Sequence, residues 1–240
     1  MRVYIVKEQA IAFLKEINTL AITDLHIGLE LELRKKGIKI FPQVKKFIDV
    51  LKKTREETGA KKLVILGDIK HKVPGSSISE IREVKWFLDE VSKIFNIIII
   101  CKGNHDDRIE NIVDNSRIKV YGSRGVKIRD YGFFHAHAWP FAKLWNAKVW
   151  IVGHLQALFE VQRGNTKELK RVVIKGKPRI NKGKLEEIIV LPSFNEFLGG
   201  MIINKENKLE GLLFKIFDPP NTYIYLLDGT EVCKLSELYL

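Results

Sequence analysis

Four short segments of this 240-residue chain end an apolar run in residues that bind metal ions. They are Asp24-Leu25-His26, Gly67-Asp68, Gly103-Asn104-His105-Asp106 and Gly153-His154, and Phe134-His135-Ala136-His137 makes a fifth. A strand that stops in Asp, Asn or His delivers a ligand to one rim of a sheet. Several such strands side by side build a carboxylate and imidazole cage for two divalent cations. Each segment alone also has an ordinary reading. In an extended segment residues i and i+2 project to the same side, so Asp24 and His26 offer two ligands to one ion, but Asp-x-His is a common sequence. Asp68, after a glycine that lets the backbone bend close to an ion, reads in isolation better as a helix cap. Asn104-His105-Asp106 is more specific. Asn offers a hard carbonyl oxygen, His105 can protonate a leaving oxygen near neutral pH, and Asp106 can orient its ring; a polar turn is the competing reading. His135 and His154 follow strands and add nitrogen ligands. All six histidines, His71 and His137 included, lie in or beside these segments, whereas histidine used as filler would be scattered.

Positioning these residues needs a sheet whose strands end together. Asn18–Thr23, Lys62–Leu66 and Ile97–Cys101 read as strands. Between them, Val44, Phe47, Ile48 and Leu51 recur at helical spacing after Pro42. Ser77-Ile78-Ser79-Glu80 has the capping-box form and opens a helix with Ile81, Val84, Leu88 and Val91 on one face. This is β-α-β logic, a sheet covered by helices. From about Arg117 the texture becomes β-rich. Strands are expected at Ile118–Tyr121, Val126–Arg129, Phe133–His135, Val149–Val152, Leu158–Gln162, Val172–Ile174, Ile188–Leu191, Leu212–Ile216 and Thr222–Leu227, with a helix near Phe141–Asn146. No repeat or Gly/Ser/Pro linker divides the chain, so residues 1–240 are expected to form a single domain.

In their order, the ligand segments resemble the calcineurin-like metallophosphoesterase superfamily, whose pattern runs D-x-H, G-D, G-N-H-D/E, a post-strand H, and G-H-x-H. The resemblance spans Thr23 to Gln156. A narrower likeness covers nearly the whole chain, to archaeal phosphoesterases related to bacterial ligase-associated DNA-damage-response endonucleases. It rests on Asp24-Leu25-His26-Ile27-Gly28, Gly67-Asp68-Ile69-Lys70-His71, Leu191-Pro192-Ser193-Phe194-Asn195 and Leu227-Asp228-Gly229. The resemblance implies a mixed α/β fold, a four-layer α/β/β/α sandwich of two packed mixed sheets flanked by helices. It implies two divalent metal ions, Mn2+ first, with Zn2+, Fe, Ni2+ and Mg2+ as alternatives. One is held by Asp24, His26 and Asp68 and the other by Asp68, Asn104, His135 and His154, with His105 as general acid or charge stabiliser on the phosphate. The chain departs from the pattern at Gln156, where the family has a histidine that completes the first site. Glutamine is a weaker oxygen donor, which leaves that site looser, softer in metal preference or partly vacant. His71 either compensates for it or meets substrate and lines the cleft, and His137 suits second-sphere or substrate contact better than ligation. Arg34, Lys70 and Arg108 fall near these turns as phosphate contacts or as solvated charges. Trp139, Phe141 and Trp145 either stack on a base or belong to the core.

Composition narrows the classes without choosing a substrate. Hydrophobic content of 45% and charged content of 29% are ordinary for a globular protein. No apolar run is long enough to span a membrane. Charges in Met1–Glu8 interrupt what a signal peptide would need, so a cytoplasmic location is expected. Cys101 and Cys233 make neither a disulfide framework nor a cysteine zinc site. A net charge of +12 favours phosphate-rich partners, or is the solvated surface of a Lys/Ile-rich, heat-adapted protein. The leading expectation is a metal-dependent phosphodiesterase, a DNA or RNA nuclease among such enzymes, with a homodimer left open. A small-molecule phosphomonoesterase or cyclic-nucleotide phosphodiesterase is the second reading. A non-catalytic scaffold on the same fold is the third; Gln156 favours it and the His105-Asp106 pair argues against it.

Overall fold

Hydrophobic alternation along the strands decides the architecture, because every central strand buries both faces. A computed structural model describes residues 3–73, 75, 77–180, 182–206 and 211–238. The first half contains β1 (Val3–Ile5), β2 (Ala12–Leu14), β3 (Thr19–Ile22), α1 (Leu29–Lys35), α2 (Val44–Thr58), β4 (Lys62–Ile65), α3 (Ile78–Ile94), β5 (Ile97–Cys101) and β6 (Ile118–Tyr121). The second half contains β7 (Val126–Ile128), β8 (Tyr131–Phe134), β9 (Val149–Val152), β10 (Leu158–Arg163), β11 (Thr166–Pro178), β12 (Glu187–Val190), α4 (Leu212–Ile216), β13 (Phe217–Leu226) and β14 (Glu231–Lys234).

The first sheet has six strands in the order β1-β2-β3-β4-β5-β6. Strands β3 to β6 are parallel, and β1 and β2 add an antiparallel edge. The second sheet has eight strands, ordered β14-β13-β11-β12-β9-β8-β7, with β10 paired to β11. In it β8, β9 and β12 are parallel neighbours. Ala21, Val64, Ile99 and Cys101 of the first sheet meet Phe133, Ile151, Val173 and Ile189 of the second in a shared central core. The alternate residues Leu20, Leu63, Ile65, Ile98 and Ile100 face α2 and α3. On the far side, Trp150, Val152, Ile174 and Ile188 pack against the 3-10 turn Ala142–Asn146 and α4. Four layers result.

The helices form for the reasons the sequence shows. α2 buries Val44, Phe47, Ile48 and Leu51 and stops at Gly59, which takes a left-handed φ of 69°. Ser77 and Glu80 make the reciprocal capping box of α3. Phe87 takes the place expected of Ile81 on the buried face, and Ile81 is partly exposed.

Other expectations need correction. Leu212–Ile216 is a short helix, not a strand: Leu213 and Ile216, three apart, share one buried face, and a five-residue apolar run does not reveal its period. Phe141–Asn146 is reduced to a 3-10 turn. The short strand expected at Val172–Ile174 is the centre of the thirteen-residue β11. Cys101 is a buried thiol pushed up to about 12 by desolvation, as suits a small hydrophobe.

Candidate metal centre

The parallel strands β3, β4 and β5 and the parallel strands β8, β9 and β12 all deliver their C-terminal ends to one rim. The loop after β3 is laid along the loop after β4: the Asp24, His26 and Ile27 amides donate to the carbonyls of Gly67, Asp68 and Ile69 at 3.1, 2.9 and 2.8 Å. The β12 exit closes the other flank, with the Phe194 amide on the Thr23 carbonyl and Asn195 Nδ2 on the Leu25 carbonyl, both at 2.8 Å. Asp24 and His26 are not extended, as their spacing suggested. Asp24, His26, Asp68, Ala136, His154 and Gln156 all take left-handed φ values between 44° and 83°. Such backbone costs of order 1–3 kcal/mol per residue and gathers at functional sites. Gly103 is required on steric grounds, since a Cβ there would lie 2.1 Å from Asp68 Oδ1.

Asp68 sits at the centre. Its Oδ2 lies 3.1 Å from His135 Nε2 and 3.4 Å from His26 Nε2, and its Oδ1 accepts the His105 amide at 2.9 Å. Asp24 Oδ2 accepts from Thr23 Oγ1 at 2.6 Å and from the His154 amide at 3.1 Å. Asp24 Oδ1 lies 3.8 Å from His26 Nε2. Among the described residues two groups of donor atoms, each within 4.8 Å, emerge: His26, Asp68 and His105, and Asp68, His135 and His154. Asp68 belongs to both. His135 Nδ1 donates to the Leu66 carbonyl at 2.5 Å, which leaves Nε2 facing Asp68 and, at 3.2 Å, His154 Nδ1. A pair of ring nitrogens turned on one another beside a carboxylate must share a proton or a cation.

The electrostatics agree with that requirement. Burial disfavours the charged ring of His26, yet hydrogen bonds to Asp24 and Asp68 lift it to about 9. Burial also opposes charge on His135, and the fields of Asp24 and Asp68 with their hydrogen bond raise it to about 9. Burial works against ionisation of Asp68 and Asp24 as well, but the neighbouring imidazoles hold both below the usual carboxylate range. His154 is pressed down to about 4 by burial and then by His135, and so stays neutral with one nitrogen left to accept. Protons on His26 and His135 thus stand where the carboxylates demand positive charge. Two carboxylates with several imidazoles form a mixed hard and borderline donor set that fits a pair of divalent transition-metal ions.

The remaining expected residues fall into several positions. Gln156 reaches the first group, with Nε2 2.9 Å from Asp24 Oδ1 and 3.2 Å from His26 Nε2. His71 is not turned into that pocket. Its Nδ1 meets the outer nitrogen of His26, Nδ1, at 3.2 Å. Asn104 is exposed on the rim beside half-buried His105. His137 flanks His135 and His154, with ring centroids 5.3 and 6.0 Å away. Asp106 requires correction: it does not orient His105. Its buried carboxylate accepts the amides of Ile69, Lys70 and Gly103 at 2.9, 3.3 and 2.9 Å and staples two loops together. His105 Nδ1 instead donates to the His71 carbonyl at 2.6 Å.

Lys70 is buried and its Nζ reaches the Asp107 carbonyl at 2.5 Å, so it serves the loop rather than open solvent. Arg108 is exposed beside Asp107. Arg34 lines a cleft of about 500 Å³ with Leu31, Glu32, Lys35, His71 and Lys72. Trp145 is core, whereas Trp139 and Phe141 are exposed. Sequence reasoning missed Thr23 and Glu32. Thr23 stood beside Asp24 and was legible as its partner; Glu32 carried no local signal.

A profile of the calcineurin-like phosphoesterase family matches residues 17–191, which contain every ligand segment. The chain belongs to the calcineurin-like phosphoesterases. Members of that family work with divalent metals, and among the described residues of this phosphoesterase the candidate ligand groups lie within the matched span. A search of the curated proteins matches none. Among solved structures, nuclease MPE of Pseudomonas putida shares the fold at 18% identity and a TM-score of 0.60, over 96% of this chain and 99% of that one. The Escherichia coli phosphoesterase Yfce is similar at 16% identity and a TM-score of 0.42, over 90% and 97% of the two chains. Among the described residues no helix of this phosphoesterase is long and apolar enough to cross a membrane.

Proposed function

We propose that this phosphoesterase hydrolyses phosphodiester bonds with two divalent cations, manganese foremost, and that nucleic acid is its substrate. The observation that carries the reading is Asp68, shared by two donor groups on one rim. In the proposed assignment Asp24, His26 and Asp68 would hold the first cation, Asp24 rather than His105 completing that group, and the amide oxygen of Gln156 would join them. Asp68, Asn104, His135 and His154 hold the second. Bound cations lower the pKa of water and offset charge on the phosphoryl oxygens during in-line attack. His105, with Nδ1 committed to the His71 carbonyl, meets the phosphate or leaving oxygen through Nε2. Asp106 fixes the loop that carries it. We also propose that residues 1–240 form a single domain, which the core shared by the two sheets supports.

Two observations, and one expectation carried from the sequence, support a diester, and a polymeric one. Net charge is +12, and Arg34, Lys35 and Lys72 line the cleft beside His71. The neighbour that matches over 96% of the chain is described as a nuclease. The narrower likeness to archaeal phosphoesterases related to ligase-associated endonucleases points the same way.

Elemental analysis, paired with assays on single-stranded DNA, double-stranded DNA, RNA, bis-p-nitrophenyl phosphate and the monoester, tests the reading. Manganese-dependent cleavage of a nucleic acid and of the bis-ester is expected. Turnover of the monoester alone refutes the diester assignment, and no turnover with any divalent ion in folded protein favours a scaffold.

A further inference from the structure

His71 and Glu32 stand outside the family pattern's ligands, yet they are joined to one of them. Glu32 Oε2 lies 2.9 Å from His71 Nε2. A carboxylate only accepts, so this nitrogen carries the proton. On the other side of the ring, His71 Nδ1 faces His26 Nδ1 at 3.2 Å, which calls for one N–H and one lone pair. If His26 supplies the N–H, its Nε2, 3.4 and 3.8 Å from Asp68 and Asp24, is the nitrogen whose proton a cation can replace. The opposite arrangement would point a proton into the first cation pocket.

The three groups come from separate elements. Glu32 lies on α1, and its other oxygen is paired with Lys36. The backbone of His71 is held by Glu80, whose Oε1 accepts the amides of His71 and Lys72 at 2.8 and 3.0 Å. His71 therefore sits on a fixed support rather than a free turn.

We propose that Glu32 and His71 are positioning residues for the first cation. Glu32 sets the His71 tautomer, His71 accepts the His26 Nδ1 proton, and His26 Nε2 is thereby held open toward the metal. The proposal rests on the dinuclear reading above. It also gives Gln156 a context: a first site weakened by glutamine is supported from behind its remaining histidine. Partners of this kind, behind a ligating histidine, typically change metal affinity by about 10- to 100-fold.

The test uses His71→Ala, His71→Asn and Glu32→Ala in the full chain, with Mn2+ titrated by electron paramagnetic resonance and His154→Ala identifying the second site. His71→Ala removes the ring but keeps the carbonyl that receives His105, so a loss confined to the first site isolates the relay. Expected is a fall of first-site affinity of about 10- to 100-fold in His71→Ala, with the second site unchanged. Glu32→Ala should lose less, at the same site. His71→Asn should recover most of the loss, because Asn Oδ1 can take the His26 proton. In Zn2+-loaded protein, 15N spectra should show protons on His26 Nδ1 and His71 Nε2. Unchanged first-site affinity in His71→Ala, equal losses at both sites, or a proton on His71 Nδ1 overturns the relay alone. A parent protein that binds no cation pair overturns the dinuclear reading and the relay with it.

Discussion

Asp68 Oδ2 faces His26 on one side and His135 on the other, while Oδ1 receives the His105 amide. An amide in its place offers one oxygen where two are used, so Asp68→Asn is expected to lower metal content at both positions. Elemental analysis checks this, and normal occupancy would contradict a bridging role. His105 makes a different demand. It is held by its own amide and by Nδ1, and among the described residues its second nitrogen makes no hydrogen bond, which suits a proposed role on substrate rather than as a ligand. His105→Ala should cut turnover by about a hundredfold or more, as removal of a general acid does, with metal content unchanged; unaltered turnover sinks the assigned role. Asp106 is the structural member of the trio. Its loss strands three buried amides, each costing about 1–3 kcal/mol when left without an acceptor. Asp106→Ala should therefore lower the melting temperature of the metal-free protein, which a purely catalytic residue would not do.

Strand ends place these residues, and the loops between them leave little space. At Gly103 a methyl group would collide with both Asp68 Oδ1 and the Asp68 amide, at 2.1 and 2.5 Å. Gly103→Ala is accordingly expected to fold with reduced metal binding at both positions, measured by titration of the purified variant. The elements carrying the ligands were readable because each is a short apolar run that ends in a polar turn, and β5 with Gly103-Asn104-His105-Asp106 shows this most plainly. The α3 capping box was equally plain, since its signal is local. Non-local features were hidden. The pairing of Glu32 with His71 depends on α1 lying across the loop after β4, which no spacing encodes. The left-handed backbone at Asp24 and His26 was also invisible, because even Asp and His adopt it at only a minority of positions and no local pattern marks them. Edge strands β1 and β14, and β2 next to β1, are three or four residues long, too short for alternation to announce them.

Across the molecule, charge at the rim ties fold stability to protons and cations together. His26 and His135 are raised from 6.5 to about 9 in the folded protein without metal. A raised histidine contributes stability that is whole below its unfolded value and is lost as pH rises through its folded value. Asp24 and Asp68 are depressed, so their contribution is present above 3.8 and fades only in acid. His154, lowered to about 4, is held neutral, which costs stability as pH falls below 6.5. Between pH 6.5 and 9 the two raised histidines therefore dominate, and the melting temperature of the metal-free protein should fall across that window. Cations displace those same protons, so metal affinity rises with pH. The gain in melting temperature from saturating Mn2+ is then smallest near pH 6.5 and largest near pH 9. Scanning calorimetry with and without the metal measures both curves. A metal-induced gain independent of pH would mean that the cations do not compete for His26 and His135, and would remove these two from the ligand set.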